Sequence, residues 1–236
     1  MILSPMGDRA VLAQFGDTID PDTNRLVQAF SAAAKTVPGV TEVLPTYCSA
    51  MVCYDPAVIG YDALCARLRE LKADGAAAMK YKIILRVPCL YNGQDMDDMQ
   101  RLTGLTRQEI ISLHSGTDYR IYMLGFLPGF VYLGGLDERL HAPRLTTPRK
   151  AIPAGAVGIG GAQTGIYPMA SPGGWRLIGT TPLVMYDPHR TPQVLCAAGE
   201  YIRFEPVTET EFDMIERGLR AGTYRPKREV WQGVKA

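Results

Sequence analysis

The chain has 236 residues, enough for one large or two small domains. Apolar residues make up 47% and charged residues 21%, and 25 Lys and Arg against 24 Asp and Glu leave a net charge of +1. This balance excludes the basic surface that nucleic-acid binding needs. No apolar run reaches the roughly 18 residues that span a bilayer. The first acidic residue, Asp8, comes too soon after the N-terminus for a signal peptide. We therefore expect a cytoplasmic protein with no nucleic-acid and no membrane partner.

Cysteine and histidine are too scattered to predict a metal centre. The five cysteines show no CxxC spacing, and the three histidines lie far apart in the chain. An odd, dispersed set of cysteines is typical of reduced thiols that pack as small apolar residues. Because zinc ligands normally come in closely spaced pairs, we predict no metal site.

The first 88 residues predict a ferredoxin-like α+β domain. Asp20 and Pro21 form a helix start, since Asp caps the first turn and Pro is tolerated at the first helical position. A second helix is predicted at residues 61–72, where leucines recur on one face. Strands are predicted at residues 10–15, 40–44, 50–54 and 81–87. The resulting order, βαββαβ, is the ferredoxin-like order.

Residues 89–225 predict a second, β-rich domain, and residues 226–236 a charged tail. A short helix is predicted at residues 95–102, and a capping box formed by Thr106 and Glu109 opens another. A strand at residues 119–124 and a closing helix at 210–219 are also predicted. Short strands are predicted at residues 156–159, 165–168, 175–179, 183–186, 194–195 and 201–204. Closely spaced short strands with turn residues between them are typical of a barrel or a sandwich.

The most unusual stretch runs from residue 125 to residue 188. It holds half of the 24 glycines and almost half of the 17 prolines, yet large apolar residues are interleaved throughout. Between residues 151 and 186 the only formal charge is Arg176. Because glycine tolerates backbone conformations that other residues avoid, this pattern predicts a folded segment whose backbone can approach a ligand closely. It is neither a Walker loop nor a dinucleotide fingerprint, since no Lys-Ser/Thr pair follows GxxxxG and the strand–helix setting is missing.

Three motifs inside this stretch resemble a known family. They are, in order, GFLPGFVYLGGLDERL, TPRKAIPAGAVGIGGAQTGIYP and SPGGWRLIGTTPL. On these motifs the chain is similar to the B subunit of bacterial 5-oxoprolinase, in the family that also includes allophanate hydrolase subunit 1 and the KipI-type kinase inhibitors. The resemblance runs from about residue 7 to residue 206. It implies a ferredoxin-like first domain and a cyclophilin-like β-barrel as the second.

The chain departs from the family pattern at three places. Val131 follows GFLPGF where Pro or Ala is usual, and Thr180 stands where the last motif usually has Arg. The segment that begins at Asp95 reads Asp-Met-Asp-Asp-Met in place of a Gly-Pro-Asp-Leu stretch. Because Arg binds phosphate or carboxylate through a two-pronged fork that Thr cannot copy, Thr180 bears on which substrate is bound.

Three residues are candidates for a catalytic role. His114 ends a predicted helix, where the helix dipole favours imidazolium and a pKa near neutrality suits acid–base work. A capping or core histidine is the alternative. Gln163 and Tyr167 are polar groups amid apolar chain, and together with Thr164 they suit an amide or lactam ring. The alternative for these three is a buried hydrogen-bond network that holds a turn.

Further residues are candidates for substrate binding. Arg144 and Arg149 could bind carboxylate or phosphate oxygens, and a solvated loop face is the equal alternative. Ser171 lacks the GxSxG elbow of a nucleophile, which favours a glycine turn that seats Trp175 at a pocket rim. The remaining binding candidates belong to the same motifs: Phe126, Pro128, Gly129, Phe130, Pro153, Gly155, Thr164 and Gly173.

The resemblance implies an enzyme subunit. In the family, the B subunit acts with the A and C subunits in the ATP-dependent opening of 5-oxo-L-proline to L-glutamate, so the cofactor is ATP used by the complex. The C subunit is of the allophanate hydrolase subunit 2 or KipA type. Since the chain shows no complete catalytic set, we expect a half-site that the C subunit completes, and no activity for this chain alone. The alternatives are a KipI-type inhibitor that binds a sensor histidine kinase, and a component of an allophanate or urea-amide hydrolase.

Overall fold

The computed structural model describes residues 1–71, 81–125 and 127–232. The chain is a mixed α+β protein that divides into two compact units, Met1–Lys80 and Tyr81–Ala236. The predicted boundary after residue 88 therefore falls inside a strand of the second unit. The division lies between Lys80 and Tyr81 because that strand pairs only within the second unit.

The first unit packs two helices against a four-stranded antiparallel sheet. Its elements are β1 (Ile2–Pro5), β2 (Ala10–Gln14), α1 (Pro21–Ala34), β3 (Val40–Pro45), β4 (Ser49–Tyr54) and α2 (Tyr61–Glu70), and the sheet order is β1-β2-β4-β3. Asp20 caps α1 by accepting the N–H of Thr23 at 2.7 Å. Phe30 of α1 and Leu64 of α2 pack with Val52 of the sheet in one apolar core.

The last strand predicted for the first unit belongs to the second. β5 (Tyr81–Cys89) pairs in parallel with β13 (Tyr201–Pro206) and antiparallel with β14 (Arg228–Gln232). The fourth strand of the first sheet is instead β1, which pairs with β2 at the edge. A four-residue segment that ends in proline gives no alternating pattern, and a parallel partner far along the chain leaves no local trace. The first unit therefore has the order ββαββα rather than βαββαβ.

The second unit is built on an eight-stranded sheet. Its further elements are α3 (Met96–Thr103), α4 (Arg107–Ser115), β6 (Tyr119–Leu124), β7 (Val131–Gly134), β8 (Arg149–Ile152), β9 (Ala156–Gly160), β10 (Gln163–Ile166), β11 (Ser171–Gly173), β12 (Arg176–Thr180) and α5 (Glu209–Arg220). The sheet order is β12-β9-β10-β7-β6-β13-β5-β14. Directly after β5, Leu90 exchanges two backbone hydrogen bonds with Thr180, at 2.9 and 2.8 Å. This pair joins β5 to the strand at the far edge of the sheet.

The predicted tail is wrong for residues 228–232, which form β14. Arg228 pairs with Glu200 at 2.9 Å, and Glu229 pairs with Arg86 at 2.7 Å. A search for alternating apolar residues misses this strand, because its sequence is charged. Ion pairs and backbone hydrogen bonds to β5 hold the strand in place. The closing helix was predicted correctly as α5, although none of its residues is buried.

The main core of the second unit lies between the sheet and the two helices α3 and α4. Met96 and Met99 enter it from α3 and Ile110 enters it from α4. A smaller apolar cluster lies apart from this core and consists of Phe130, Ile152, Ala156, Tyr167, Trp175 and Leu177. Three of the residues predicted to line a site therefore fall into one separate cluster.

Thr106 and Glu109 form the predicted capping box at the start of α4. Thr106→Ala is expected to lower the free energy of unfolding by about 1 kcal/mol, because a backbone donor at the helix start loses its acceptor. The midpoint of urea unfolding measures this loss. Thr208→Ala, in the equivalent box of α5, is the matched control. Since α4 buries Ile110 and His114 whereas α5 buries nothing, an equal or larger shift for Thr208→Ala would contradict the expectation.

Candidate functional site

The glycine-rich motif of the second unit folds as a hairpin of two largely buried strands, β9 and β10. Three of its five glycines face Trp175. A Cβ on Gly160 would lie 2.7 Å from Trp175 Cγ, and one on Gly165 would lie 3.0 Å from Cζ3. A Cβ on Gly158 would lie 3.3 Å from the Cβ of Trp175. The glycines therefore make room for a side chain of the protein itself, the indole of Trp175.

Four aromatic side chains, which we call the aromatic cluster, pack here: Phe130, Tyr132, Tyr167 and Trp175. The ring centroid of Phe130 lies 5.0 Å from that of Tyr132, 5.3 Å from Tyr167 and 5.6 Å from Trp175. Tyr132 is half-buried, whereas the other three residues are almost fully buried. Tyr132 was not among the predicted residues. The two-residue period of a strand could have found it, because it follows Phe130 by two positions.

Tyr167 is held as a neutral phenol. Burial raises its pKa, and a hydrogen bond with the backbone of Trp175 and the charge of Arg144 offset this only in part. Gly173 lies directly against the phenol, since a Cβ there would be 2.5 Å from Oη. A neutral phenol can donate a hydrogen bond to a carbonyl oxygen, which suits the orientation of an amide rather than the removal of a proton.

Arg149 is engaged in contacts inside the protein. Its Nη2 lies 2.5 Å from Oδ1 of Asp95, and its Nη1 donates to the carbonyl of Trp175 at 3.2 Å. Asp95 is buried, and its second oxygen accepts the N–H of Leu177 at 2.6 Å. Asp95 thus takes one amino group of the Arg149 guanidinium and the carbonyl of Trp175 takes the other, which favours a role in holding Trp175 and β12 over the predicted binding of substrate oxygens. In the sequence, Asp95 stood out only as a departure from the family pattern.

His114 lies in the core and is 0% exposed. Its Nδ1 is 2.8 Å from the hydroxyl of Tyr91, and its Nε2 is 2.8 Å from the hydroxyl of Thr164. Because Thr164 donates its own hydrogen to the carbonyl of Gly158 at 3.0 Å, Thr164 accepts from Nε2 and Nδ1 accepts from Tyr91. Burial lowers the pKa of His114 to about 3. The imidazole is therefore neutral near pH 7, which supports a core histidine over an acid–base group.

Several other predicted residues lie in turns rather than in the aromatic cluster. Phe126 lies outside the described residues. Pro128 and Pro153 are exposed. Gly129 and Gly155 have φ angles of 80° and 81°, and a Cβ on Gly155 would lie 2.5 Å from the carbonyl oxygen of Thr181. These two glycines serve the close packing of turns.

The polar candidates are also separated from one another. Thr164 is buried beside His114, whereas its neighbour Gln163 is half-buried at the start of β10. Ser171 is buried, and its Oγ makes no hydrogen bond to any residue that the structure describes. Thr180 donates to Oδ1 of Asn92 at 3.0 Å, so it serves the contact between β12 and the segment after β5.

The structure thus brings together Phe130, Tyr167, Gly173 and Trp175, with Arg144 at the edge. The guanidinium carbon of Arg144 lies 5.9 Å from the ring centroid of Trp175. This arrangement places a cation beside four aromatic rings, of which Tyr132 is half-buried and the other three are almost fully buried. Within residues 1–71, 81–125 and 127–232, no three His, Cys, Asp or Glu side chains are grouped to hold a metal ion. In the same ranges no helix is long and apolar enough to cross a membrane.

Comparison with known proteins identifies the family. The carboxyltransferase domain, subdomain C and D, matches residues 1–196. The 5-oxoprolinase B subunit of Bacillus subtilis (strain 168) is 35% identical over 226 residues, which cover 89% of this chain and 94% of that protein. The 5-oxoprolinase B subunit of Haemophilus influenzae is 37% identical over 207 residues, which cover 86% of this chain and 97% of that protein. The chain belongs to the carboxyltransferase-domain family of 5-oxoprolinase B subunits, which confirms the resemblance of its three motifs.

A solved structure is similar over most of the chain. The crystal structure of TTHA0988 superposes with a TM-score of 0.78 at 34% identity, and the match covers 85% of this chain. It covers only 40% of that longer chain. The similarity supports the mixed α+β fold described above.

Proposed function

We propose that this chain is the B subunit of an ATP-dependent 5-oxoprolinase, which acts with the A and C subunits to convert 5-oxo-L-proline to L-glutamate. The observation that carries the proposal is the similarity to B subunits over nearly their whole length. Similarity confined to one motif would support a shared fold alone. Similarity from end to end supports the same place in the same complex.

The reaction requires that a stable lactam be activated. Transfer of the terminal phosphoryl group of ATP to the lactam oxygen makes the ring carbon more electrophilic. Water then opens the C–N bond, and further water releases phosphate, so that ADP, phosphate and glutamate are the products. We assign ATP to the complex rather than to this chain, because the sequence carries no Walker loop.

The residues of this chain fit half of a site. Tyr132, the half-buried member of the aromatic cluster, offers a face for a five-membered ring, and Tyr167 and Gln163 are the groups that would orient its amide. His114 is buried and neutral, and Ser171 is buried. Neither therefore supplies the nucleophile or base that ring opening needs. We propose that the C subunit completes the site and that this chain is inactive alone.

We further propose a ferredoxin-like first unit, in which β1 takes the edge position beside β2 that the final strand of the βαββαβ order would occupy, and a cyclophilin-like β-barrel as the second. In the first unit, two helices pack on an antiparallel sheet with β2 and β4 at its centre. In the second, the pair formed by Leu90 and Thr180 joins β5 to β12, which supports closure into a barrel. A cytoplasmic location accords with the five cysteines, all of which are free thiols.

Reconstitution from the three subunits tests the function. We expect ATP-dependent release of glutamate from 5-oxoproline when all three are present, and none from this chain alone. Omission of this chain from the mixture is expected to abolish release. Consumption of allophanate in place of 5-oxoproline would overturn the proposal in favour of an allophanate or urea-amide hydrolase. Inhibition of a co-purifying sensor histidine kinase, with no glutamate released, would favour the KipI-type function.

A further inference from the structure

We infer that Arg144 recognises the carboxylate of the substrate, and this inference rests on the proposed function. Three arginines of the family motifs already have acidic partners. Arg139 pairs with Asp137 at 2.7 Å, Arg149 with Asp95 and Arg176 with Asp98. The exposed Arg144 forms no ion pair with any residue that the structure describes.

The backbone around Arg144 is fixed although its charge is unpaired. Leu145 donates its N–H to the carbonyl of Gly174 at 2.7 Å. On the other side, Nε of Arg176 donates to the carbonyl of Pro143 at 3.1 Å. The residue is thus held by both neighbours, and binding an anion requires ordering of the side chain alone, which reduces the entropic cost.

The guanidinium of Arg144 lies over the ring of Trp175, one member of the aromatic cluster. Its carbon is 5.9 Å from the ring centroid of Trp175, within the distance of a cation–π contact. Its charge also lowers the pKa of Tyr132 and Tyr167, against the larger effect of burial. A cation–π contact uses none of the N–H donors of the guanidinium, so these stay available to an oxyanion.

The chemistry of the ligand follows from this pairing of one exposed cation with the aromatic cluster, whose accessible member is the half-buried Tyr132. A guanidinium binds a carboxylate through two parallel hydrogen bonds, and a flat ring packs on aromatic side chains. 5-Oxoproline carries a carboxylate on a small lactam ring and so presents both features. A phosphate group of ATP is the other source of an oxyanion, and the experiment below separates the two.

Steady-state kinetics of the reconstituted three-subunit enzyme tests the inference. Arg144→Gln is expected to raise KM for 5-oxoproline about 10- to 100-fold, the effect of losing charge-assisted hydrogen bonds. KM for ATP and kcat are expected to change little. Arg144→Lys keeps the charge but loses the two-pronged hydrogen bonding, so its KM for 5-oxoproline should lie between those of the unaltered enzyme and Arg144→Gln. Arg139→Gln is the matched control, because Arg139 pairs with Asp137 outside the aromatic cluster.

A ligand series isolates the carboxylate from general damage to the site. In the unaltered enzyme, 5-oxoproline should bind more tightly than 2-pyrrolidone, the same ring without the carboxylate. In Arg144→Gln this preference should disappear, while 2-pyrrolidone inhibits as before. An unchanged preference would overturn the inference, and a rise in KM for ATP alone would assign Arg144 to phosphate. If the unaltered enzyme releases no glutamate, the proposed function itself fails.

Discussion

Replacement of His114 by leucine is expected to lower the free energy of unfolding by on the order of 3 kcal/mol at pH 7. The imidazole joins Tyr91 to Thr164, and each of its nitrogens lies 2.8 Å from a hydroxyl. Leucine fills much of the volume of the imidazole but cannot accept a hydrogen bond. The hydroxyl of Tyr91 then loses its nitrogen acceptor at a site where the residue is only 4% exposed, so water cannot replace it.

The pH dependence of this loss gives a sharper test of the neutral imidazole. The pKa of His114 is about 3 in the folded protein, against an ordinary value of 6.5. At a pH between 3 and 6.5, His114 takes up a proton in the unfolded chain but not in the folded protein. The stability that this site contributes is therefore fully present above pH 6.5 and is lost as pH falls towards 3, by about 1.4 kcal/mol per pH unit. Between pH 7 and pH 5 the loss is about 2 kcal/mol.

Urea unfolding at pH 7 and at pH 5 measures this dependence. The unaltered protein should lose stability between the two pH values, and His114→Leu should lack the His114 share of that loss. The cost of the substitution is therefore expected to be smaller at pH 5 than at pH 7. His141→Gln is the control, because His141 is exposed and its replacement should leave the loss intact. Parallel pH profiles for the unaltered protein and His114→Leu would show that His114 is not buried in its neutral form.

Those parts of the fold that depend on neighbouring residues could be predicted from the sequence. The cap of α1 by Asp20 and the box of Thr106 with Glu109 both join residues three positions apart. The strand β14 could not be predicted, because its partners are Glu200, Arg86 and the backbone of β5. Parallel pairing of β5 with β13 likewise depends on contacts between distant segments. This pairing places β5 in the second unit, so the first unit ends at Lys80 rather than at residue 88.

The same limit applies to the candidate site. At the end of its predicted helix, His114 could be an acid–base group or a core residue, and its contacts with Tyr91, Thr164 and Phe204 favour the core residue. Arg144 and Arg149 were equivalent in the sequence, whereas the structure gives Arg149 a buried acidic partner. Sequence could identify the segment and its residue types. It could not show that Arg149 is paired and Arg144 is not, because the partner of Arg149 is Asp95, which lies at the N-terminal end of α3.

Gly160→Ala is expected to lower the free energy of unfolding by about 3 kcal/mol, through overpacking in a buried cluster. The new Cβ would lie 2.7 Å from Cγ of Trp175. Little room remains for the indole to move, since Trp175 is only 4% exposed and the rings of Phe130 and Tyr167 pack edge-on against it at 5.6 and 6.2 Å. Thermal unfolding measures the loss, and near-ultraviolet circular dichroism should report a changed environment for the indole.

The adjacent Gly161 provides the matched control. It lies in the β9–β10 turn at a φ of 66°, and a Cβ there would have nothing within 4 Å, so Gly161→Asn should be tolerated. A second comparison tests the cause directly. In a Trp175→Leu background, Gly160→Ala should cost much less than in the unaltered protein, because the two positions are coupled through the indole. Equal costs in both backgrounds would mean that Gly160 serves the strand backbone, and that the glycines of this motif do not exist to seat Trp175.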